Sequence, residues 1–259
     1  GTGVSADTIT NRVLSNARNG AIVLMHLSAP HTYEAVPGIV QGLRARGFEL
    51  VTVSRLLKGD RRFLDVPSSG GTATAIGRMV DMGIMSGFNE EYFGPEDGIT
   101  RAQVAKVMVL VAGLHTPEVE RVDQRSFADV VAQRGVDGSW LAFPFDYVEE
   151  AAAAGLVQGR FDALGRRVFD PYGPVTRVQL ARIVARMARQ MKGYVDGPPA
   201  QMAFRDVMPE DAADVALVAT LGLMQGYNHR EFRPAEGAAR KHVAVVAGRF
   251  LDLLPRSHY

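Results

Sequence analysis

Phe63-Leu64-Asp65-Val66, then Gly83-Ile84-Met85-Ser86-Gly87, Phe93-Gly94-Pro95 and Ile99-Thr100-Arg101-Ala102-Gln103, is the stretch that decides the fold, because it occurs three times. The second copy reads Phe127-Ala128-Asp129-Val130, Gly155-Leu156-Val157-Gln158-Gly159, Phe169-Asp170-Pro171 and Val175-Thr176-Arg177-Val178-Gln179. The third reads Phe204-Arg205-Asp206-Val207, Gly222-Leu223-Met224-Gln225-Gly226, Phe232-Arg233-Pro234 and Ala238-Ala239-Arg240-Lys241-His242. A period beyond about fifty residues, with inserts of unequal length, marks repeated supersecondary units. One unit alone buries too little apolar surface, so the three are expected to fold together.

Working outward from the first glycine of each copy, Ile76, Met79 and Val80 correspond to Val148, Ala151 and Ala152, and to Val215, Val218 and Ala219. These i, i+3, i+4 positions predict a helix with one apolar face in each copy, stopped by Gly83, Gly155 or Gly222 at a left-handed C′ position. After the Phe-x-Pro turn a second helix carries Val104, Val107, Met108 and Val111. Its counterparts are Leu180, Ile183, Val184 and Met187, then Val243, Val246, Ala247 and Phe250. Each unit is therefore a helix, a glycine-rich loop and a second helix, with Val107, Ile183 and Val246 expected in a shared core.

The start of the second helix separates structure from function. Thr100 with Gln103, and Thr176 with Gln179, have the spacing of capping boxes. Arg101 and Arg177 sit in the first turn, where the helix dipole disfavours a cation. In the third copy the cap has become Ala239 and its partner His242, yet Arg240 remains. One reading makes each arginine, beside free helix-start amides, a site for carboxylate or phosphate groups. The other pairs it with a nearby acid, such as Asp65, Asp129 or Asp206. Loss of the cap predicts that Arg240 is held more loosely than the other two.

These motifs resemble the S-layer homology family, whose pattern is Phe-x-Asp-Val, a Gly-Ile-x-x-Gly loop, Phe-x-Pro and Ile-Thr-Arg-Ala-Glu. The resemblance covers roughly residues 60 to 254. It implies a mainly α fold, three helix-loop-helix repeats in a pseudo-trimeric spindle, which binds anionic secondary cell-wall polysaccharide in grooves between repeats. Polymer contacts implied by the resemblance are Arg101, Arg177 and Arg240, Thr100 and Thr176, Asp65, Asp129 and Asp206, Gly87, Gly159 and Gly226. The family's tryptophan after the Asp-Val element corresponds to Trp140, with Gly71 and Glu210 at that spacing in the other copies.

The remaining chain is read from its composition and its first 58 residues. With 259 residues, 47% hydrophobic, and a net charge of +1, it is an ordinary globular sequence with ample core. It has no basic run with interleaved aromatics for nucleic acid and no apolar run long enough for a membrane span. There is no cysteine, hence no disulfide or thiolate metal site. The opening Gly1 and the lack of a leader suggest a piece of a longer protein. Asp7 to Arg18 reads as a short helix stopped at Asn19-Gly20. Ala21-Ile22-Val23-Leu24-Met25 reads as a strand buried on both faces. Thr32 would cap a helix with Val36, Ile39, Val40 and Leu43 inward, ending at Gly47. Phe48 to Val53 reads as a second strand, and Ser54 opens a last short helix. Strand, helix, strand makes a βαβ unit of a larger parallel sheet.

Gly20 to His26, then Thr32, Ala35-Val36-Pro37 and Gly47 to Val53, resemble the C-terminal end of polysaccharide deacetylases. The resemblance implies a partial α/β segment of a (β/α) barrel, with His26 as general acid when an upstream barrel is present and Leu24 and Met25 lining an acetyl pocket. A complete domain of that family would hold a divalent, zinc-type metal and act on an acetylated glycan. This chain alone lacks the paired aspartates and the His-Ser/Thr-x-x-His element for that metal, so no cofactor and no activity are expected of it by itself.

The expected organisation is 1–58 deacetylase remnant, 59–115 repeat one, 116–193 repeat two and 194–259 repeat three, with linkers at Thr116–Arg125 and Gln190–Gln201. Three functions compete. The first is a wall-anchored deacetylase whose C-terminal part holds it, outside the cell, to anionic wall polysaccharide. The second is a structural surface-layer subunit with a vestigial N-terminal segment. The third is a helical-repeat scaffold for protein partners, which the first-turn arginines argue against.

Overall fold

The computed structural model describes residues 4–26, 28–59, 61–114, 125–192 and 204–254. It divides into two compact bodies, Gly1–Leu64 and Asp65–Tyr259. The expected linkers lie outside the described residues, apart from Arg125 and from Gln190–Lys192, which continue a helix.

In the first body, α1 (Ala6–Asn16) is capped by Ser5, whose hydroxyl accepts the Thr8 amide at 3.2 Å. It packs on α2 (Thr32–Ala45), where Ala35, Ile39 and Leu43 meet Ile9, Val13 and Leu14. Close approach depends on Gly42: a Cβ there would lie 2.7 Å from the Leu14 methyl carbons. The buried face is Thr32, Ala35, Ile39 and Leu43. Ile39 and Leu43 are buried as expected, while Thr32 and Ala35 take the places expected of Val36 and Val40, because the glycine side of α2 is the one α1 reaches. Thr32 is a residue of the helix; His31, at φ 61°, precedes it. Gly47 ends the run as expected, at φ 83°.

The two expected strands are not formed. Residues 21–26 have no regular structure, and Ile22, Val23, Leu24 and Met25 are exposed, Leu24 at 82%. Residues 48–52 likewise join no ladder. A strand exists only where a neighbour takes its amides and carbonyls, and among the described residues these two runs pair with nothing. The βαβ expectation is corrected accordingly. The short helix that follows, α3 (Val53–Lys58), is capped by Thr52, not Ser54.

Among its described residues the second body holds three helix pairs: α4 (Gly71–Asp81) with α5 (Arg101–Val111), α6 (Phe145–Ala153) with α7 (Arg177–Lys192), and α8 (Ala212–Thr220) with α9 (Arg240–Leu253). Each first helix ends alike. Gly83, Gly155 and Gly222 have φ of 68°, 66° and 69°. The amides of Ile84, Leu156 and Leu223 then reach back to the carbonyls of Met79, Ala151 and Val218 at 2.9, 2.8 and 2.9 Å. That bond satisfies a helix-end carbonyl and buries an apolar side chain over the last turn.

The helices are shared between repeats. α5 packs on α6, α7 on α8 and α9 on α4, so each second helix covers the first helix of the next repeat, and the third returns to the first. Val107, Ile183 and Val246 are buried, as expected. A backbone cycle closes the same circuit: the Ile99 amide donates to Ala238 O (3.2 Å), the Ala238 amide to Val175 O (2.7 Å) and the Val175 amide to Ile99 O (3.2 Å).

Repeat two carries two hairpins absent from the sequence reading, β1 (Gln133–Arg134) with β2 (Trp140–Leu141) and β3 (Arg160–Phe161) with β4 (Arg167–Val168). Their signals were the turn glycines Gly138 and Gly165, at φ 81° and 73°.

Candidate site at the grooves between repeats

The Phe-x-Pro turn is built by an aspartate. Both carboxylate oxygens of Asp65 accept backbone amides, from Phe93 (2.9 Å) and Gly94 (2.7 Å). Asp129 does the same with Phe169 and Asp170 (both 2.7 Å), and Asp206 with Phe232 (2.9 Å) and Arg233 (2.7 Å). These charge-assisted bonds fix the turn and leave each phenylalanine carbonyl pointing away from its own aspartate.

That carbonyl receives the arginine of the preceding repeat. Arg101 Nε donates to Phe169 O at 2.6 Å, Arg177 Nε to Phe232 O at 2.9 Å and Arg240 Nε to Phe93 O at 3.0 Å. Each guanidinium also lies over the ring of the same phenylalanine, 4.7, 4.8 and 4.5 Å from its centroid. Burial lowers the pKa of all three arginines.

Both sequence readings of these arginines are therefore revised. The helix-start amides are not free. Arg101 N and Ala102 N donate to Gly173 O (3.0 Å) and Pro171 O (2.9 Å), Arg177 N and Val178 N to Glu236 O (2.8 Å) and Pro234 O (3.1 Å), and Arg240 N and Lys241 N to Asp97 O (2.9 Å) and Pro95 O (3.0 Å). The neighbouring turn already fills the place an anion would take among them. Nor does any of the three arginines form an ion pair with Asp65, Asp129 or Asp206 among the described residues, since those carboxylates are engaged with amides.

The three junctions between repeats then diverge. Arg240 is buried, at 6% exposure, with Nη2 on Ser86 O at 2.6 Å and its guanidinium also over Phe88. The expectation of a looser Arg240 is overturned: Ala239 has no side-chain acceptor, but His242 Nδ1 accepts the Ala239 amide at 3.2 Å and preserves half of the cap. Arg177 is half-buried, with Nη2 on Gln225 O at 2.9 Å. Arg101 is half-buried as well, and among the described residues its terminal nitrogens have no partner. The corresponding carbonyl, Gln158 O, is taken by Arg167 Nε at 2.8 Å.

The other expected site residues have structural partners. Thr100 and Thr176 hydroxyls accept the Gln103 and Gln179 amides at 3.3 and 3.4 Å, completing the capping boxes. A Cβ on Gly159 or Gly226 would lie 2.4 or 2.3 Å from the ring of Phe127 or Phe204, so these glycines let the loop pass over that ring. Gly87 holds the same place, next to Ser86. Trp140 lies in β2 opposite Arg134, whose guanidinium is 4.0 Å from its ring centroid. Side chains alternate along a strand, so Trp140 faces away from Gln133, whose amide reaches Tyr172 OH at 3.4 Å. Tyr172, flanked by Pro171 and Gly173, whose carbonyls take the Ala102 and Arg101 amides, is an exposed aromatic group on the turn at the Arg101 helix start. Sequence reasoning missed Tyr172, at the position of Glu96 and Ala235 in the other copies, Arg160, at the position of Phe88 and Tyr227, and Arg167, in the longer segment between the loop glycine and Phe169.

His26 is exposed on the irregular stretch 21–26. Among the described residues no three His, Asp or Glu side chains come together to hold a metal, so no step through a metal is derived. No described helix is long and apolar enough to cross a membrane.

Residues 62–105 match the model of the S-layer homology domain. The chain is 23% identical over 192 residues to a cellulosome-anchoring protein of Acetivibrio thermocellus, covering 74% of this chain and 39% of that protein. It is 25% identical over 169 residues to the S-layer protein sap of Bacillus anthracis, covering 65% and 18%. An endoglucanase of Bacillus sp. strain KSM-635 is 23% identical over 196 residues, covering 73% and 18%. The chain thus spans well under half the length of these curated relatives. Its domain match and its surface-layer and anchoring relatives identify a cell-surface or cell-wall associated protein.

Proposed function

We propose that residues 65–254 are an anchor that holds a larger protein to the cell wall, binding anionic cell-wall polysaccharide in the grooves between three S-layer homology repeats. One observation carries this reading. Arg101 and Arg177 are held by Nε and by a phenylalanine ring; Arg101 keeps both terminal nitrogens to fork onto an acidic substituent, and Arg177, whose Nη2 holds Gln225 O, keeps Nη1 for a single such bond. The names of two relatives support it, one a cellulosome-anchoring protein and the other an S-layer protein.

The test is a binding series with polysaccharide released from bacterial cell walls, with folding checked by circular dichroism. Losing a charge-assisted contact costs on the order of 1.5–3 kcal/mol, about tenfold or more in affinity. Arg101→Ala and Arg177→Ala are each expected to weaken binding to that extent. Arg240→Ala is expected to lower the melting temperature instead, since its guanidinium is spent on carbonyls and rings. If neither Arg101→Ala nor Arg177→Ala changes binding, the grooves are not the polymer site. The deacetylase resemblance at residues 20–53 finds no strand to support it and is not part of this reading.

A further inference from the structure

The grooves differ at the residue that follows the second loop glycine. It is Phe88 in repeat one, Tyr227 in repeat three and Arg160 in repeat two. Phe88 covers Arg240, 4.7 Å from guanidinium carbon to ring centroid, and Tyr227 is covered by Arg233 at 3.3 Å. Arg160 instead brings a second cation. It stands opposite Val168 in the β3–β4 hairpin, directly before Phe169, whose carbonyl holds Arg101. The two guanidinium groups are close enough that Arg160 repels the charge on Arg101, after burial and the opposing pull of Asp170.

The hairpin also frees Arg101. Arg167 of β4 takes Gln158 O, and its guanidinium lies 4.8 Å from the centroid of the Phe127 ring. The Phe127 and Phe169 rings are 5.1 Å apart, so Arg167 and Arg101 flank one aromatic pair. Two acids act on Arg101: Asp170, the stronger, and Asp129, which is committed to two amides. Arg160 is exposed, and its side chain makes no hydrogen bond or ion pair among the described residues. Arg233 likewise repels Arg177 between repeats two and three, but it is paired with Glu231 and Glu236 at 3.9 Å and covers Tyr227. Among the described residues Arg160 and Arg101 have no such acid partner at their terminal nitrogens, and the exposed Tyr172 stands on the turn that receives the Arg101 helix start.

We propose that Arg160 is the specificity-determining residue of the groove between repeats one and two, where with Arg101 it selects glycans bearing an acidic oxyanion substituent, a phosphate or a carboxylate. This rests on the reading that the grooves bind wall polysaccharide. One guanidinium forks onto two oxygens of the substituent while the second neutralises its remaining charge, and the tyrosine ring offers a face to the sugar.

The experiment uses the full chain and wall polysaccharide in three forms: untreated, dephosphorylated with hydrofluoric acid, and carboxyl-reduced. Arg160→Ala and Arg160→Tyr, the latter copying repeat three, are each expected to weaken binding of the untreated polymer about tenfold. Arg160→Lys is expected to recover part of that loss. The treatment that removes the recognised group should erase the difference between wild type and Arg160→Ala, which assigns phosphate or carboxylate. Arg12→Ala, on α1, removes the same charge elsewhere and is expected to change nothing. Equal loss in Arg12→Ala overturns the proposal in favour of general electrostatic attraction. Unchanged binding in Arg160→Ala, with loss in Arg101→Ala and Arg177→Ala, overturns it while leaving the groove reading intact. Unchanged binding in all of them sinks that reading as well.

Discussion

At the scale of the residue, His242 shows how a lost cap was replaced. Its Nδ1 accepts the Ala239 amide, which requires that nitrogen to be unprotonated. Burial lowers the pKa of His242, and Lys241 and Arg177 add repulsion. With the folded value below the unfolded one, the unfolded chain takes up the proton first as pH falls. The stability held by neutral His242 is full above about 6.5 and is lost as pH drops through that value toward the folded one. Asp146 works the other way. Burial raises its pKa to about 6, so its contribution is present below its unfolded value and lost as pH rises toward 6. Wild type is therefore compared with His242→Gln, which restores the glutamine of the other repeats. The melting temperature of wild type should fall more between pH 7.5 and 5.5, by an amount equivalent to about 1 kcal/mol. Identical falls would assign the pH response elsewhere. The three arginines were legible in the sequence because they outlast their local helix signals. Their true partners were not, because a carbonyl of the next repeat leaves no mark on side-chain chemistry.

At the scale of the element, helices were the readable part. Apolar positions at i, i+3 and i+4 named α4 to α9, and Gly83, Gly155 and Gly222 stopped the first helices where expected. Continuous apolar runs were not readable in the same way: residues 21–25 have strand composition, but a strand is made by its neighbour. The short hairpins of repeat two escaped notice because two-residue strands have no period. Glycine loops carried a different message from the one first read. Gly226 is required by contact: a Cβ would lie 2.3 Å from the Phe204 ring and 2.5 Å from Asn228 O. Gly226→Ala is expected to destabilise by about 1–3 kcal/mol, the usual effect of overpacking. Gly237→Ala, with nothing within 4 Å of its Cβ position, should stay within about 0.5 kcal/mol of wild type. Urea melts of both variants decide this. Equal losses would mean that contact with the aromatic ring is not what keeps glycine in the loop, since chain entropy alone would make Gly→Ala stabilising.

At the scale of the whole second body, stability is held between repeats. Each aspartate shapes a turn for another repeat's arginine, and each second helix covers another repeat's first helix. The return of α9 onto α4 is reinforced by Arg78, whose Nη1 reaches Gly248 O at 3.2 Å and Asp252 at 2.5 Å, and by Lys241 with Glu96 at 2.6 Å. The closed cycle through Ile99, Val175 and Ala238 has no first or last member. Chain order is then a matter of where the ring happens to be cut. A circular permutant that begins at Ser126, with a flexible linker joining Leu254 to Asp65, keeps every contact between repeats and should melt cooperatively within a few degrees of the parent. Removing residues 204–254 instead opens two seams and should abolish cooperative melting. A permutant that fails to fold, beside a truncated chain that melts normally, would show that sequence order, not closure of the ring, holds the repeats together.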